Sequence, residues 1–269
     1  MNPTTIESQK KFRAFIEKSE EKRKSRIVLA LDVIEESPER IFSKSMSIIE
    51  QVHEYICAVK INHHLVLPLG LFDGTKKIID WAKEHELPTI IDCKANDIGS
   101  TNRVIAENYF KAGFDALVAN PFVGWEDGLQ PIFEVANKMG RGIILLAYMS
   151  HKAAWEGYGQ NVYDAISGRV KPQHIIFAEK ALSWGADGVI VGATHPERIR
   201  EIYGILGDSI PIYSPGVGVQ GGDIWKAVSA GSHYLIVGRL IVEAVDPAKS
   251  AKNIRDVINE ALRRSVERF

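Results

Sequence analysis

The sequence predicts an α/β protein, a (β/α)8 barrel of the TIM type with an extra N-terminal helix, on three observations. Short β-branched runs alternate with segments of helical period from Ile27 to the C-terminus. Eight such runs occur, where an open doubly wound sheet would more often use five or six. No Pro-, Gly- or Ser-rich linker divides the 269 residues, so residues 27–269 are assigned to one barrel domain and residues 1–26 to a helical appendage.

Taken in order, residues 1–26 are rich in Lys and Arg, but Glu7, Glu17, Glu20 and Glu21 interleave with them, unlike an acid-poor transit peptide. Phe12, Phe15 and Ile16 instead predict an amphipathic helix leaning on the main body. The strands are expected at Ile27–Asp32, Ile56–Ile61, Thr89–Lys94, Ala116–Ala119, Ile143–Met149, Gly188–Gly192, Pro211–Ser214 and Tyr234–Gly238. Helices are expected at Pro38–Tyr55, Thr75–Glu86, Thr101–Ala112, Trp125–Met139, Pro172–Trp184, Pro196–Ile205, Gly222–Ala230 and Pro247–Arg264. Gly113, Gly140, Gly185, Gly207 and Gly231 stand where a left-handed helix cap favours glycine. The longest irregular stretch, Ser150–Lys171, reads either as a lid beside the site or as a packed surface loop with its own short helix.

Composition narrows the function. With 33 basic against 34 acidic residues, no strong attraction to nucleic acid is implied. No run of 18 apolar residues is present and the N-terminus lacks a secretory apolar core, so neither membrane insertion nor export is expected. Cys57 and Cys93 lie inside apolar runs and are expected as buried, reduced thiols, which fits a cytoplasmic protein.

In such a barrel the reacting groups gather at the carboxyl ends of the strands. There the sequence places Asp32, Lys60, Asp92 with Lys94, Ser150, and Arg239 just past the eighth strand. Strand alternation sends Asp92 and Lys94 to one face and Cys93 to the other. Asp97 lies on the turn into the next helix, so a lysine flanked by acids is expected to hold its proton and act as an acid. The plainer alternative is a structural ion pair with Asp97 as a helix cap.

After strand seven, Ser214-Pro215-Gly216-Val217-Gly218-Val219-Gln220-Gly221-Gly222-Asp223 contains a G-x-G-x-x-G match. The acid that a dinucleotide site needs about 20 residues later is absent; that region holds Gly238-Arg239. Barrels bind phosphate with these same two loops, so glycine backbone and the Arg239 fork are expected to meet a phosphate; a tight turn with a structural Arg is the alternative. His63 and His64 would point apart, and neither H-E-x-x-H nor C-x-x-C occurs, so no metal is expected. No G-x-S-x-G elbow is present.

With these motifs in view, the chain resembles the orotidine 5'-monophosphate decarboxylases of pyrimidine nucleotide synthesis. The resemblance rests on Leu29-Ala30-Leu31-Asp32, Val59-Lys60-Ile61, Asp92-x-Lys94-x-x-Asp97-Ile98-x-x-Thr101, Met149-Ser150-His151, Val191-Gly192-Ala193-Thr194-x-Pro196, Ser214 to Asp223, and Val237-Gly238-Arg239, all in family order. It implies a cofactor-independent decarboxylase acting on a nucleotide. Lys94 would deliver a proton to C6 of the pyrimidine, Asp92 would lie beside the substrate carboxylate, and Lys60 and Asp97 would complete an alternating charged array. Asp32 and Lys60 would contact the ribose. Asp97, Ile98 and Thr101 would be functional residues, with Asp97 and Thr101 coming from the neighbouring subunit of a homodimer. Ser150 would read the base, and Gln220, following Pro215, would bridge base and phosphate on a closing loop. Arg239 with backbone amides near Gly218 and Gly238 would hold the phosphate.

Two departures bear on loop geometry. Gly99-Ser100 replaces a common Pro-Asn, which predicts a more flexible turn, and Lys152-Ala153 replaces Pro-Gly after His151. Two other functions compete with the one that the resemblance implies. A magnesium-dependent sugar-phosphate decarboxylase or aldolase of the same superfamily would want an acid where Lys60 stands. A silent phosphometabolite-binding barrel would not need Asp92, Lys94 and Asp97 together.

Overall fold

Parallel pairing carries one sheet around a full circle in the computed structural model, which describes residues 3–165 and 167–266, with 3–10 and 266 as backbone only. The expected segments that fall on residues 1–2, 166 and 267–269 lie outside the described residues. The order is α1 (Pro3–Arg23), β1 (Ile27–Ala30), α2 (Pro38–Val52), β2 (Ala58–Asn62), α3 (His63–Leu69), α4 (Thr75–Glu84), β3 (Thr89–Ala95), α5 (Gly99–Ala112), β4 (Ala116–Ala119), α6 (Gln130–Met139) and β5 (Gly142–Tyr148). It continues through α7 (Ala154–Gly157), β6 (Asn161–Asp164), β7 (Arg169–Pro172), α8 (Gln173–Trp184), β8 (Gly188–Val191), α9 (Pro196–Leu206), β9 (Ile212–Pro215), α10 (Ile224–Ser229), β10 (Tyr234–Val237), α11 (Arg239–Val242) and α12 (Pro247–Val266). The barrel closes as β1-β10-β9-β8-β5-β4-β3-β2, and β6 and β7 form a separate antiparallel pair.

Strand alternation builds two cores. Outward residues such as Leu29, Val59, Ile91, Leu117, Val189 and Val237 pack against the helices. Inward residues Val28, Ala58, Ile90, Val118, Ile144, Ile190, Tyr213 and Ile236 fill the barrel, as the fold requires. Phe12 and Ile16, one helical turn apart on α1, join that interior cluster. α1 therefore closes the barrel at the amino ends of the strands. A Cβ on Gly142, which opens β5, would fall 2.5 Å from the Phe12 ring, so only glycine lets the helix come this close. Polar bonds fix the same helix: Ser19 Oγ donates to the Cys57 carbonyl at 2.7 Å, and Arg23 donates to the carbonyls of His53, His85 and Glu86.

The departures from sequence expectation have local causes. α3 was not expected, because Pro68 sits inside it and breaks the helical pattern. The expected helix Trp125–Met139 is a wide turn, Trp125–Leu129, followed by α6; Glu126 and Asp127 leave helical geometry there, Asp127 with φ +50°. The expected helix Pro38–Tyr55 ends at Val52 in a tighter turn, His53–Tyr55. The stretch Ser150–Lys171 holds α7 and most of the β6–β7 hairpin. Cys57 and Cys93 are free thiols outside any disulfide, Cys57 buried and Cys93 half-buried. No helix among the described residues is long and apolar enough to cross a membrane.

Candidate active site

The inward positions of β2 and β3 read Ala58, Lys60 and Ile90, Asp92, so apolar filling gives way to charge at the carboxyl ends of these strands. Lys60 Nζ lies 2.8 Å from Asp92 Oδ2, and Lys94 Nζ lies 2.7 Å from Asp92 Oδ1. Lys60 is 5% exposed and Asp92 7%. Burial alone would push the Asp92 carboxyl upward, but the two ammonium groups win and hold it at about 2. Burial likewise works against the Lys60 ammonium, and Asp92 followed by Asp32 outweighs it, raising Lys60 above the ordinary lysine value. Within one chain the array is therefore a carboxylate between two lysines, and among the described residues Asp97 forms no ion pair with either lysine.

Lys94 reaches Asp92 through an irregular backbone. Its φ is +48°, in the left-handed region that a long side chain rarely occupies, and the β3–β4 register shifts between Ile91 and Ala95. A bulge of this kind re-aims a side chain at a barrel rim. Cys93 faces the helices, as strand alternation requires.

These groups open onto a cavity of about 190 Å³ whose wall includes Asp32, Lys60, Asp92, Lys94, Ser150, Pro215, Gln220, Gly238 and Arg239. Asp32 Oδ1 is buried with no hydrogen-bond partner among the described residues, a costly state that a ligand hydroxyl would relieve. Arg239 is exposed at the rim, and its guanidinium has no hydrogen bond or ion pair among the described residues. Gln220 folds back over Gly216: a Cβ there would lie 2.7 Å from Gln220 Oε1 and 2.9 Å from Ser150 Cβ, so glycine permits the close approach. Gly218 does not line the cavity, and its amide donates to the Gly222 carbonyl at 2.9 Å. That amide is committed to the loop's own turn. Asn62 also lines the cavity. An Asn at a strand end reads as a turn residue, which hides it in the sequence; its inward phase two residues after Lys60 is the signal that marks it.

Asp97, Ile98 and Thr101 are exposed and lie outside the cavity wall. The turn that carries them is pinned. Asn102, fully buried, donates to the carbonyls of Asp97 at 2.6 Å and Gly128 at 3.0 Å, and a Cβ on Gly99 would meet Asp127 Oδ1 at 2.7 Å. Gly99 therefore serves close packing in this turn. Among the described residues, no group of three or more His, Cys, Asp or Glu side chains could hold a metal ion.

The arrangement can seat a small anionic ligand, with a cation and glycine-rich turns at one end and an ammonium–carboxylate–ammonium array at the other. Residues 25–254 match the model of the orotidine 5'-phosphate decarboxylase / HUMPS family. The orotidine 5'-phosphate decarboxylase of Methanosarcina mazei is 38% identical over 241 residues, covering 90% of this chain and 98% of that one. The crystal structure of orotidine 5'-phosphate decarboxylase from Pyrococcus horikoshii OT3 superposes with a TM-score of 0.71 at 36% identity, covering 86% of this chain and 98% of the other. That of the Methanocaldococcus jannaschii enzyme complexed with the inhibitor BMP gives a TM-score of 0.73 at 30% identity, covering 87% and 99%. The chain belongs to the orotidine 5'-phosphate decarboxylase / HUMPS family.

Proposed function

We propose that this protein decarboxylates orotidine 5'-monophosphate to uridine 5'-monophosphate, the carboxy-lyase step of pyrimidine nucleotide synthesis, without a cofactor. The observation that carries this is the Lys60–Asp92–Lys94 array at the cavity mouth. Loss of carbon dioxide leaves a ring carbanion at C6 with no adjacent carbonyl to delocalise it. A preformed ammonium beside that carbon stabilises the developing charge far better than water does, because it needs no reorganisation. Lys94 is the proton donor to C6, and Lys60 holds Asp92 in place. Asp92 faces the departing carboxylate.

The remaining residues divide the ligand between them. The orphan oxygen of Asp32 supports a ribose hydroxyl contact. Arg239, with the turn around Gly216 to Gly221 and with Gly238, takes the phosphate, and Ser150 and Gln220 take the base. Binding energy from the distant phosphate closes the Val219–Gln220 loop and aligns the charged groups. Asp97, Ile98 and Thr101 act on the site of a second copy, which their exposure outside their own cavity supports; the active unit is then a homodimer, residing in the cytoplasm. Residues 1–26 serve the barrel domain 27–269 as an accessory helix.

The magnesium-dependent alternative is disfavoured on charge, since two ammonium groups already flank the buried carboxylate that a divalent cation would need. The test is the fall in ultraviolet absorbance of orotidine 5'-monophosphate in the presence of a chelator. Full turnover is expected. Activity that disappears with chelator and returns with magnesium would overturn the assignment.

A further inference from the structure

We infer that Asn62 is a substrate-contacting residue that recognises a ribose hydroxyl, an inference that rests on the nucleotide reading above. Asn62 is the last residue of β2 and the next inward position after Lys60. It pairs in register with Asp92 and lies on the cavity wall. The side chain is half-buried, and its carboxamide makes no hydrogen bond among the described residues. Asn62 also occupies the N-cap position of α3, where an Asn commonly caps its helix through its side chain, yet no such bond forms. The amide is therefore unspent on its own fold and presented to the cavity.

The neighbours select what it can bind. Around the barrel, β2 stands between β1, which carries Asp32 just beyond its end, and β3, which carries Asp92 and Lys94. Arg239 follows β10, beyond β1, and Ser150 follows β5, beyond β3 and β4. In the nucleotide reading Asp32 takes a ribose hydroxyl, so the sugar lies at the ends of β1 and its neighbour β2, where Asn62 stands. The charged groups on these strands already provide acceptors in the Asp32 and Asp92 carboxylates and donors in the lysines. A neutral carboxamide supplies both a donor and an acceptor without disturbing that charge balance, which suits a hydroxyl better than a phosphate or a carboxylate.

The experiment measures binding of uridine 5'-monophosphate and its 2'-deoxy and 3'-deoxy analogues by calorimetry, in wild type and in Asn62→Ala. Because it reads product affinity, it stands apart from turnover: absence of decarboxylation by the wild type would defeat the proposed function and leave this comparison intact. A single hydrogen bond predicts that wild type prefers the ribonucleotide over one of the deoxy analogues by roughly three- to tenfold more than Asn62→Ala does. Asn62→Ser, which keeps a donor and an acceptor, should restore part of that preference. Discrimination against both analogues that stays within about twofold of wild type in Asn62→Ala would overturn the inference, as would equal loss of affinity for all three ligands, the mark of a merely structural role.

Discussion

Two buried aspartates, one near each end of the barrel, meet opposite fates. Asp92, at the mouth, has an ammonium 2.8 Å from one oxygen and another 2.7 Å from the other, and they hold its carboxyl at about 2 against the effect of burial. Asp187, just before β8, accepts from the Ile143 amide at 2.9 Å and has the Arg13 guanidinium of α1 only at 3.7 Å. There burial wins, and the carboxyl rises to about 7. The mouth keeps charge ready for chemistry. The floor, plugged by Phe12 and Ile16, serves packing and tolerates charge poorly.

Removing the mouth carboxylate should have the largest effect. Asp92→Asn leaves Lys60 buried with its partner neutralised, so stability should drop by about 3–5 kcal/mol in denaturant unfolding, and turnover by roughly 10³-fold or more, since the array loses its only buried anion. A stable, active Asp92→Asn variant would erase the distinction drawn between the two ends. Arg239→Ala acts at the far side of the same mouth and should raise KM about 10- to 100-fold by loss of a charge-assisted contact, with kcat much less affected; steady-state kinetics decides, and an unchanged KM would remove Arg239 from the phosphate.

The smallest effect sharpens the comparison by reversing its sign. Asp187 in the folded state holds its proton above the ordinary unfolded value, so its contribution favours folding below about pH 4 and is lost as pH rises through about 7. Asp92 contributes in the other direction: its stabilisation is present above about pH 4 and is lost as pH falls towards about 2. Asp187→Asn, whose amide oxygen can still accept from Ile143, should therefore gain on the order of 1 kcal/mol at pH 8 relative to pH 5, compared with wild type. Unfolding curves at the two pH values check this. A pH dependence identical to wild type would show that burial at the floor leaves this carboxyl unperturbed.

Much of this contrast was legible in the sequence because strands have a period of two. Lys60 and Asp92, charged residues at inward positions of otherwise apolar runs, are placed at the mouth by strand phase alone. Phe12, Phe15 and Ile16 predicted by their spacing a helix leaning on the main body, though not that Phe12 and Ile16 would enter and plug the interior core. Less visible was anything depending on backbone irregularity or on a partner distant in sequence. The left-handed φ of Lys94 arises from a register shift against β4, and the tight fit of Gly99 from Asp127. The hairpin of β6 and β7 carries a half-exposed alternation that resembles a loop, and Pro68 hid α3. Asn62 was overlooked because its residue type suggested a turn, although its phase pointed inward.

The central claim, that the Lys94 ammonium supplies the decarboxylation step, is tested most directly by comparing wild type and Lys94→Ala in the orotidine 5'-monophosphate absorbance assay alongside calorimetric binding of uridine 5'-monophosphate. Loss of turnover by roughly 10³-fold or more, with nucleotide affinity within about tenfold of wild type, is the predicted result. Turnover by Lys94→Ala at the wild-type rate would contradict it.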